Sequence, residues 1–429
     1  MKYFLLNPNW DFRGSTYFGC HEAHYPLELL FASAKIRDAG HEPLLIDAQN
    51  DSLSMEEVQC QVDSFDPDFL VIPTAPSYLF WRCPPPELRV PREYFSRLNT
   101  RAKKVAIGPH TSATPGAVIK KLDIDVAMRG EPDETLPKLA SDAWEMIDGC
   151  CFRRDDGTIH FTPSLGVTDM GSLKALSFEN YNVERHKHRH HVFWGEGHGA
   201  ELEFARGCPW ACTFCNKTLF RNKFRERDVD EVLKEVDTIV ARGVDYIYFI
   251  DEIFGVGKNV RLLLEGIAER KVNIGFQSRI DLWNEESIDL LGRAHTISIE
   301  CGIESITDDG RDDLNKNCRM STERLTELLI YARTKIPWVQ ANLILTEKDD
   351  KEDIRRWQER LKAHGVWVSE PVPMFPFPGT PLYGQMWGPP DDEAWERAHH
   401  YYTSTFGGKG YSDIQEQNPV ALEDLECMH

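Results

Sequence analysis

Three cysteines in eight residues carry the strongest chemical signal in the chain. Arg206-Gly207-Cys208-Pro209-Trp210-Ala211-Cys212-Thr213-Phe214-Cys215 is a C-x3-C-x2-C run. Thiolates at that spacing can hold one corner of a [4Fe–4S] cluster and leave the fourth iron without a protein ligand. An open iron makes a catalyst rather than an electron carrier. A structural zinc site wants a fourth ligand. Cys301, or a histidine of Arg185-His186-Lys187-His188-Arg189-His190-His191, stands as the remote candidate. Otherwise the 185–191 run reads as a solvated basic linker.

Residues 201–205 read as a strand running straight into this loop. Strand candidates follow at 244–250, 272–278, 296–301, 338–345 and 365–372. Helical patterns over 229–242, 260–269, 285–293, 322–334 and 351–363 separate them. Six βα units predict an open partial (β/α)6, TIM-like barrel, which carries its chemistry at the carboxyl ends of its strands. Before it, strand candidates at 3–6, 42–47, 69–74, 104–108 and 125–129 alternate with helices such as 26–38 and 55–65. That rhythm predicts an α/β, Rossmann-like, five-stranded parallel sheet, with ligand loops at the strand ends. The expected division is 1–150, a linker over 151–198, the barrel over 199–385 and a small helical C-terminal cap over 386–429.

The cysteine loop and the barrel resemble the radical S-adenosylmethionine (SAM) enzymes. Phe249-Ile250-Asp251-Glu252-Ile253-Phe254, Ser278-Arg279-Ile280-Asp281 and Gly302-Ile303-Glu304-Ser305 resemble that family's strand-end segments. Phe377-Pro378-Gly379-Thr380-Pro381-Leu382-Tyr383 is similar to the P-G-T-P-L-Y of a large subset. The resemblance implies a [4Fe–4S] cluster on Cys208, Cys212 and Cys215. It implies SAM contacts at Phe214, Asp251, Glu252, Arg279 and Glu304, with Asp251 or Glu252 near the amine and Arg279 near the carboxylate. Read without it, Asp251 and Glu252 suit a helix N-terminus, Arg279 a surface ion pair and Glu304 a strand-end hydrogen bond.

The first domain resembles the cobalamin-binding domain that precedes the barrel in cobalamin-dependent radical SAM enzymes. Leu5-Leu6-Asn7-Pro8, Gly108-Pro109-His110-Thr111 and Arg129-Gly130-Glu131-Pro132-Asp133-Glu134-Thr135-Leu136 carry it. It implies cobalamin contacts at Asn7, Pro8, Thr74, Ser77, Gly108, Pro109, His110, Thr111, Gly130 and Glu131. The D-x-H-x-x-G motif is absent, since Arg37-Asp38-Ala39-Gly40-His41 does not fit it. No histidine from that motif reaches the cobalt.

The implied activity is cleavage of SAM to a 5′-deoxyadenosyl radical and methylation of an unactivated carbon of a small molecule. The electron comes from an external reductant such as flavodoxin or ferredoxin. Cyclisation, ring contraction or oxidation is the alternative within the enzymes. An iron–sulfur sensing module and a zinc-stabilised binding protein are the alternatives outside them. Lys217, Arg221, Lys223, Arg225 and Arg227 read either as a solvated helix start or as an anion-facing strip.

Composition agrees. With 49 Lys plus Arg against 69 Asp plus Glu, the 429-residue chain carries −20, which argues against a nucleic-acid partner. At 41% hydrophobic and 28% charged it is an ordinary globular sequence. No apolar run is long enough to span a bilayer, and Met1-Lys2-Tyr3-Phe4-Leu5-Leu6 lacks a signal-peptide cleavage pattern. An odd cysteine count, 11, suits reduced thiols and a cytoplasmic home.

Overall fold

The computed structural model describes residues 1–10, 23–77, 84–140, 143–179, 181–183, 198–221 and 223–406. The histidine run at 185–191 and the chain beyond Phe406 lie outside them.

The first sheet contains β1 (Lys2–Asn7), β2 (Glu42–Asp47), β3 (Phe69–Pro73), β4 (Lys103–Ile107) and β5 (Val126–Met128), all parallel, in the order β2-β1-β3-β4-β5. β1 and β3 are buried on both faces, which is why each reads as an unbroken apolar run. The order reverses between β1 and β3, the switch point at which such sheets bind ligands.

The sheet does not stop at residue 150. β6 (Cys150–Arg153) and β7 (Ile159–Phe161) form a hairpin that pairs antiparallel with the free edge of β5. The next segment returns across the end of β5, where Gly130 and Gly166 form a bridge. Part of the stretch expected as linker therefore completes the first sheet. The strands are four and three residues long, too short for a clear alternation.

Gly130 has φ +81°, and a Cβ there would lie 2.4 Å from the Gly166 carbonyl oxygen. Gly130→Ala is expected to destabilise the protein by roughly 1–3 kcal/mol, the range for a left-handed residue forced against backbone. Urea denaturation measures it. An unchanged midpoint would remove the strain argument.

The second sheet is all parallel, in the order β15-β14-β13-β12-β11-β8. Its strands are β8 (His198–Leu202), β11 (Val244–Phe249), β12 (Asn273–Ser278), β13 (Thr296–Glu304), β14 (Trp338–Leu343) and β15 (Trp367–Val368). Helices pack on one face, where Phe276, Ile299, Val339 and Val368 are buried with Leu328 and Leu361. The opposite face carries Gln277, Glu300, Gln340 and Trp367 as direct cross-strand neighbours.

Two elements depart from expectation. The strand expected at 201–205 breaks after Leu202, because the Asp251 carboxylate accepts the N–H groups of Phe204 and Ala205 at 2.8 and 2.9 Å. The chain resumes as β9 (Ala205–Arg206), paired antiparallel with β10 (Arg225–Glu226). The strand expected at 365–372 is only two residues long, since Pro371 and Pro373 have no N–H for a ladder.

The cap helix Ala394–Phe406 straps the two halves together. Trp395 Nε1 donates to Thr114 Oγ1 at 3.1 Å, and Lys120 and Lys121 pair with Asp392 and Glu396. On its other side it packs on Phe375, Phe377 and Tyr383. No described helix is long and apolar enough to cross a membrane.

Candidate active site

The cysteine loop leaves β9 through Gly207, whose φ is +86°. A Cβ there would meet the Lys223 carbonyl oxygen at 2.1 Å, so this turn requires glycine. Three anchors then hold the loop. Thr213 N–H donates to Leu314 O at 3.0 Å, Asn315 Nδ2 to Ala211 O at 2.7 Å, and Leu382 N–H to Thr213 O at 3.0 Å. The last comes from the P-G-T-P-L-Y segment, whose Gly379 (φ +88°) packs on Leu219. That motif thus braces the loop. Cys208, Cys212 and Cys215 are each half-buried. Desolvation raises all three thiols, Cys215 to about 12, so binding a metal there must displace their protons.

Among the described residues no three His, Cys, Asp or Glu side chains are arranged around one ion. A cubane corner differs from such a site, because each thiolate takes its own iron. Cys301 does not supply a fourth ligand. It lies in the core with Ile299 and Ile303, where burial raises its thiol pKa.

The expected SAM-binding residues all surround this loop, but several are engaged in shaping it. Asp251 holds the two amides already named. Burial pushes its carboxyl well above the ordinary range. Glu252 accepts from Gly207 N–H at 2.8 Å and from Arg221 Nη1 at 2.9 Å. Neither sits in a helix N-terminus. Arg279 forms a two-bond pair with Asp281, at 2.9 and 2.6 Å, donates to Lys316 O at 2.7 Å and stacks 4.3 Å from the Trp210 ring. It is an ion pair, but a buried one, and it fixes Trp210 over the loop. Glu304, at φ +69°, pairs with the buried Lys316 at 3.2 Å. Lys316 and Arg279 both act electrostatically on Cys212. Phe214 lies half-buried in the loop, between Cys212 and Cys215.

The residues expected at cobalamin lie at the carboxyl ends of their strands, with mixed surroundings. Asn7 donates its amide N–H to Asp47 at the end of β2 at 2.8 Å and accepts from Trp10 Nε1 at 2.9 Å, and Pro8 is buried after it. Thr74 is buried, and its hydroxyl has no hydrogen-bond partner among the described residues. Ser77 turns its hydroxyl to Glu28, whose carboxyl burial raises to about 7. Gly108 (φ +120°) opens the short helix Pro109–Ala113. Thr111 bonds back to Gly108 O at 2.8 Å and to Met128 O at 2.5 Å. His110 is buried, its Nε2 on Pro85 O at 2.9 Å and its ring 4.2 Å from Trp395. Burial lowers its pKa to about 3.

Gly130 and Glu131 each make a close contact within the protein. Gly130 makes the backbone contact already described. Glu131 pairs with Arg225 at 2.5 and 2.9 Å and lies near Arg206 and Arg221. These arginines hold its carboxyl down at about 2. Within the basic strip Arg221, Arg225 and Arg227 are accordingly held by carboxylates, while Lys223 is exposed. Arg221 pairs with Glu203 and Glu252, and Arg227 with Glu235, all buried. Arg206 bridges Glu203 and Asp133. Sequence reading missed Arg206, Asp133, Glu203 and Lys316. No local pattern marks them, because their partners come from distant segments.

Residues 202–358 match the family model described as the Radical SAM superfamily. The matched stretch contains the cysteine loop and the strands β11 to β14, and the other parallel sheet precedes it. The chain is 25% identical over 336 residues to the anaerobic magnesium-protoporphyrin IX monomethyl ester cyclase of Synechocystis sp., covering 76% of this chain and 65% of that protein. It is 26% identical over 374 residues to the hopanoid C-3 methylase of Methylococcus capsulatus, covering 81% and 67%. It thus spans about two thirds of the length of these curated relatives. Its fold is similar to that of the radical SAM methyltransferase TsrM from Kitasatospora setae, solved with tryptophan substrate and a SAM analogue. The TM-score is 0.73 at 16% identity, over 90% of this chain and 76% of that one. TsrM has also been solved with cobalamin and a [4Fe–4S] cluster bound.

Proposed function

We propose that the chain is a cobalamin-dependent radical SAM enzyme that methylates an unactivated carbon of a small molecule, with its electron from a flavodoxin- or ferredoxin-type donor. One observation carries the reading. A three-thiol loop stands at the carboxyl ends of one parallel sheet, tied through buried ion pairs to the carboxyl ends of another.

The residues present fit the groups this requires. Cys208, Cys212 and Cys215 suit a cluster corner, because Gly207 and the three anchors hold the loop in one shape. Lys316 and Glu304 offer a cation and a carboxylate beside Cys212, as an amino-acid zwitterion needs. Thr74, whose buried hydroxyl has no partner among the described residues, lies at the switch point and suits a corrinoid edge. When bound, the cluster supplies the electron that opens SAM homolytically, and the corrinoid supplies a transferable methyl group.

The chain's own side chains then position and shield. Trp210, pinned by Arg279, excludes water above the loop. The substrate side is the sheet face away from the helices, on the rows of Glu300 and Gly302 below Glu304. There Gln277 donates to Glu300 at 3.2 Å and Gln340 to Asn342 at 2.8 Å. Barrel interiors are ordinarily filled with branched apolar residues, so a polar row suits ligand binding. His110, packed under Trp395, is structural in this reading.

Likeness to the cyclase favours a second reading, radical cyclisation without methyl transfer. Anaerobic reconstitution with iron and sulfide, followed by incubation with SAM, hydroxocobalamin and dithionite as the electron donor, separates the two. Mass spectrometry is expected to find 5′-deoxyadenosine together with S-adenosylhomocysteine. Deoxyadenosine alone would favour cyclisation, and neither product would overturn both.

A further inference from the structure

Lys217 follows the third cysteine by two positions, on the turn Asn216–Leu219. Its side chain is buried, 3% exposed. The ammonium donates to Cys208 O at 2.6 Å and to Trp210 O. Both partners are neutral carbonyls.

The other buried cations described are treated differently. Arg206, Arg221, Arg227, Arg279, Arg311 and Lys316 each pair with a carboxylate. For Lys217, none of the described carboxylates lies within ion-pair distance. A buried ammonium facing only carbonyl dipoles is costly, unless a negative charge arrives to offset it. The groups in its field are the three thiols. Its charge favours the ionised form of Cys208, Cys212 and Cys215 alike. Other charges face the same sulfurs: Glu252 toward Cys208, and Glu304, Lys316 and Arg279 toward Cys212. Apart from Glu252, each of these is matched in a pair of opposite charges that leaves little net field, and Glu252 itself bonds to Arg221.

We propose that Lys217 is the built-in countercharge of the cluster, raising its reduction potential while pinning the loop through two carbonyls. This rests on the cluster part of the proposed function and on neither SAM nor cobalamin chemistry. Each added electron makes a thiolate-bound cluster more negative, so a fixed nearby cation favours the reduced form. Net charge and hydrogen bonding around the sulfurs are the levers that set such potentials. Lys217 acts through the loop and its field, so it is a positioning residue.

The test uses the full chain reconstituted anaerobically with iron and sulfide, without SAM, and titrated with dithionite while the reduced signal is followed by EPR. Lys217→Gln keeps an N–H donor for the carbonyls and removes the charge. Lys217→Arg keeps the charge. With iron and sulfide contents matched to the parent, Lys217→Gln is expected to shift the midpoint to more negative potential. Lys217→Arg is expected to stay near the parent. An unshifted midpoint in a fully loaded Lys217→Gln overturns the proposal. Where Lys217→Gln folds but fails to load, loading by Lys217→Arg supports the countercharge. Failure of both variants assigns Lys217 to loop geometry alone and overturns it. A parent protein that binds no cluster would instead sink the proposed function.

Discussion

Cys212→Ala is expected to lower 5′-deoxyadenosine formation by at least ~1000-fold, the scale lost when a group indispensable to the transition state is removed. Two of three thiolates remain, but a cubane corner with one iron unheld loses both cluster and open site. Iron content after anaerobic reconstitution should fall with the activity. The fold should not, because the anchors of this loop are backbone bonds from Thr213 and Leu382 and the side-chain amide of Asn315 rather than sulfur contacts. Melting should therefore stay within about 2 °C, since removing one half-buried thiol is a small perturbation. Cys60→Ala is the control, because that thiol is exposed on the helix Met55–Phe65. It should leave iron and turnover unchanged. Undiminished SAM cleavage by Cys212→Ala would contradict the cluster assignment outright.

The cysteine loop was legible because its chemistry is local: ligand spacing is written within eight residues, and a glycine in front sets the turn. The strand and helix rhythm was legible because parallel strands buried on both faces are apolar throughout, while amphipathic helices keep their own period. What failed to read was anything fixed by a partner far along the chain. Asp251 and Glu252 read as ligand contacts, yet their bonding partners are Phe204, Ala205, Gly207 and Arg221, over thirty residues away. The run containing Arg221, Arg225 and Arg227 looked solvated because arginine ordinarily is. Its acidic partners are Glu131, 94 residues before Arg225, and Glu203 and Glu235 on other elements. Glu131 follows the same rule: its motif position suggests a ligand contact, and what the motif does not show is its pairing with Arg225. The break between β8 and β9 has the same origin, since a carboxylate from after β11 takes the two amides that would have continued the strand.

That interdomain charge network makes a second strong prediction. Arg206 is 1% exposed. It donates to Glu203 at 2.8 Å and to both oxygens of Asp133 at 2.6 and 3.2 Å, with its guanidinium 5.7 Å from the Phe31 ring. Arg206→Met preserves much of the apolar stem but strands two buried carboxylates. Breaking a buried ion pair from one side costs roughly 3–5 kcal/mol, and that loss is expected in urea denaturation. Asp133 belongs to the first sheet's domain and Arg206 to the second, so the variant should also separate a single transition into two. Asp133→Asn in the same background removes one stranded charge. The double variant should recover about 1–3 kcal/mol relative to additivity, as contacting residues do. Acid adds an independent check through Glu131, whose folded pKa of about 2 lies below its ordinary 4.5. Its stabilisation is complete above 4.5 and fades as pH falls through 2, so the parent should lose stability over that window. By contrast, Arg261→Ala, which removes an exposed arginine paired with Glu265 and Glu286, should leave the midpoint in place. A loss below about 1 kcal/mol for Arg206→Met would mean that desolvation cancels the network's attraction. The two sheets would then be held together chiefly by the apolar core and by the helix Ala394–Phe406.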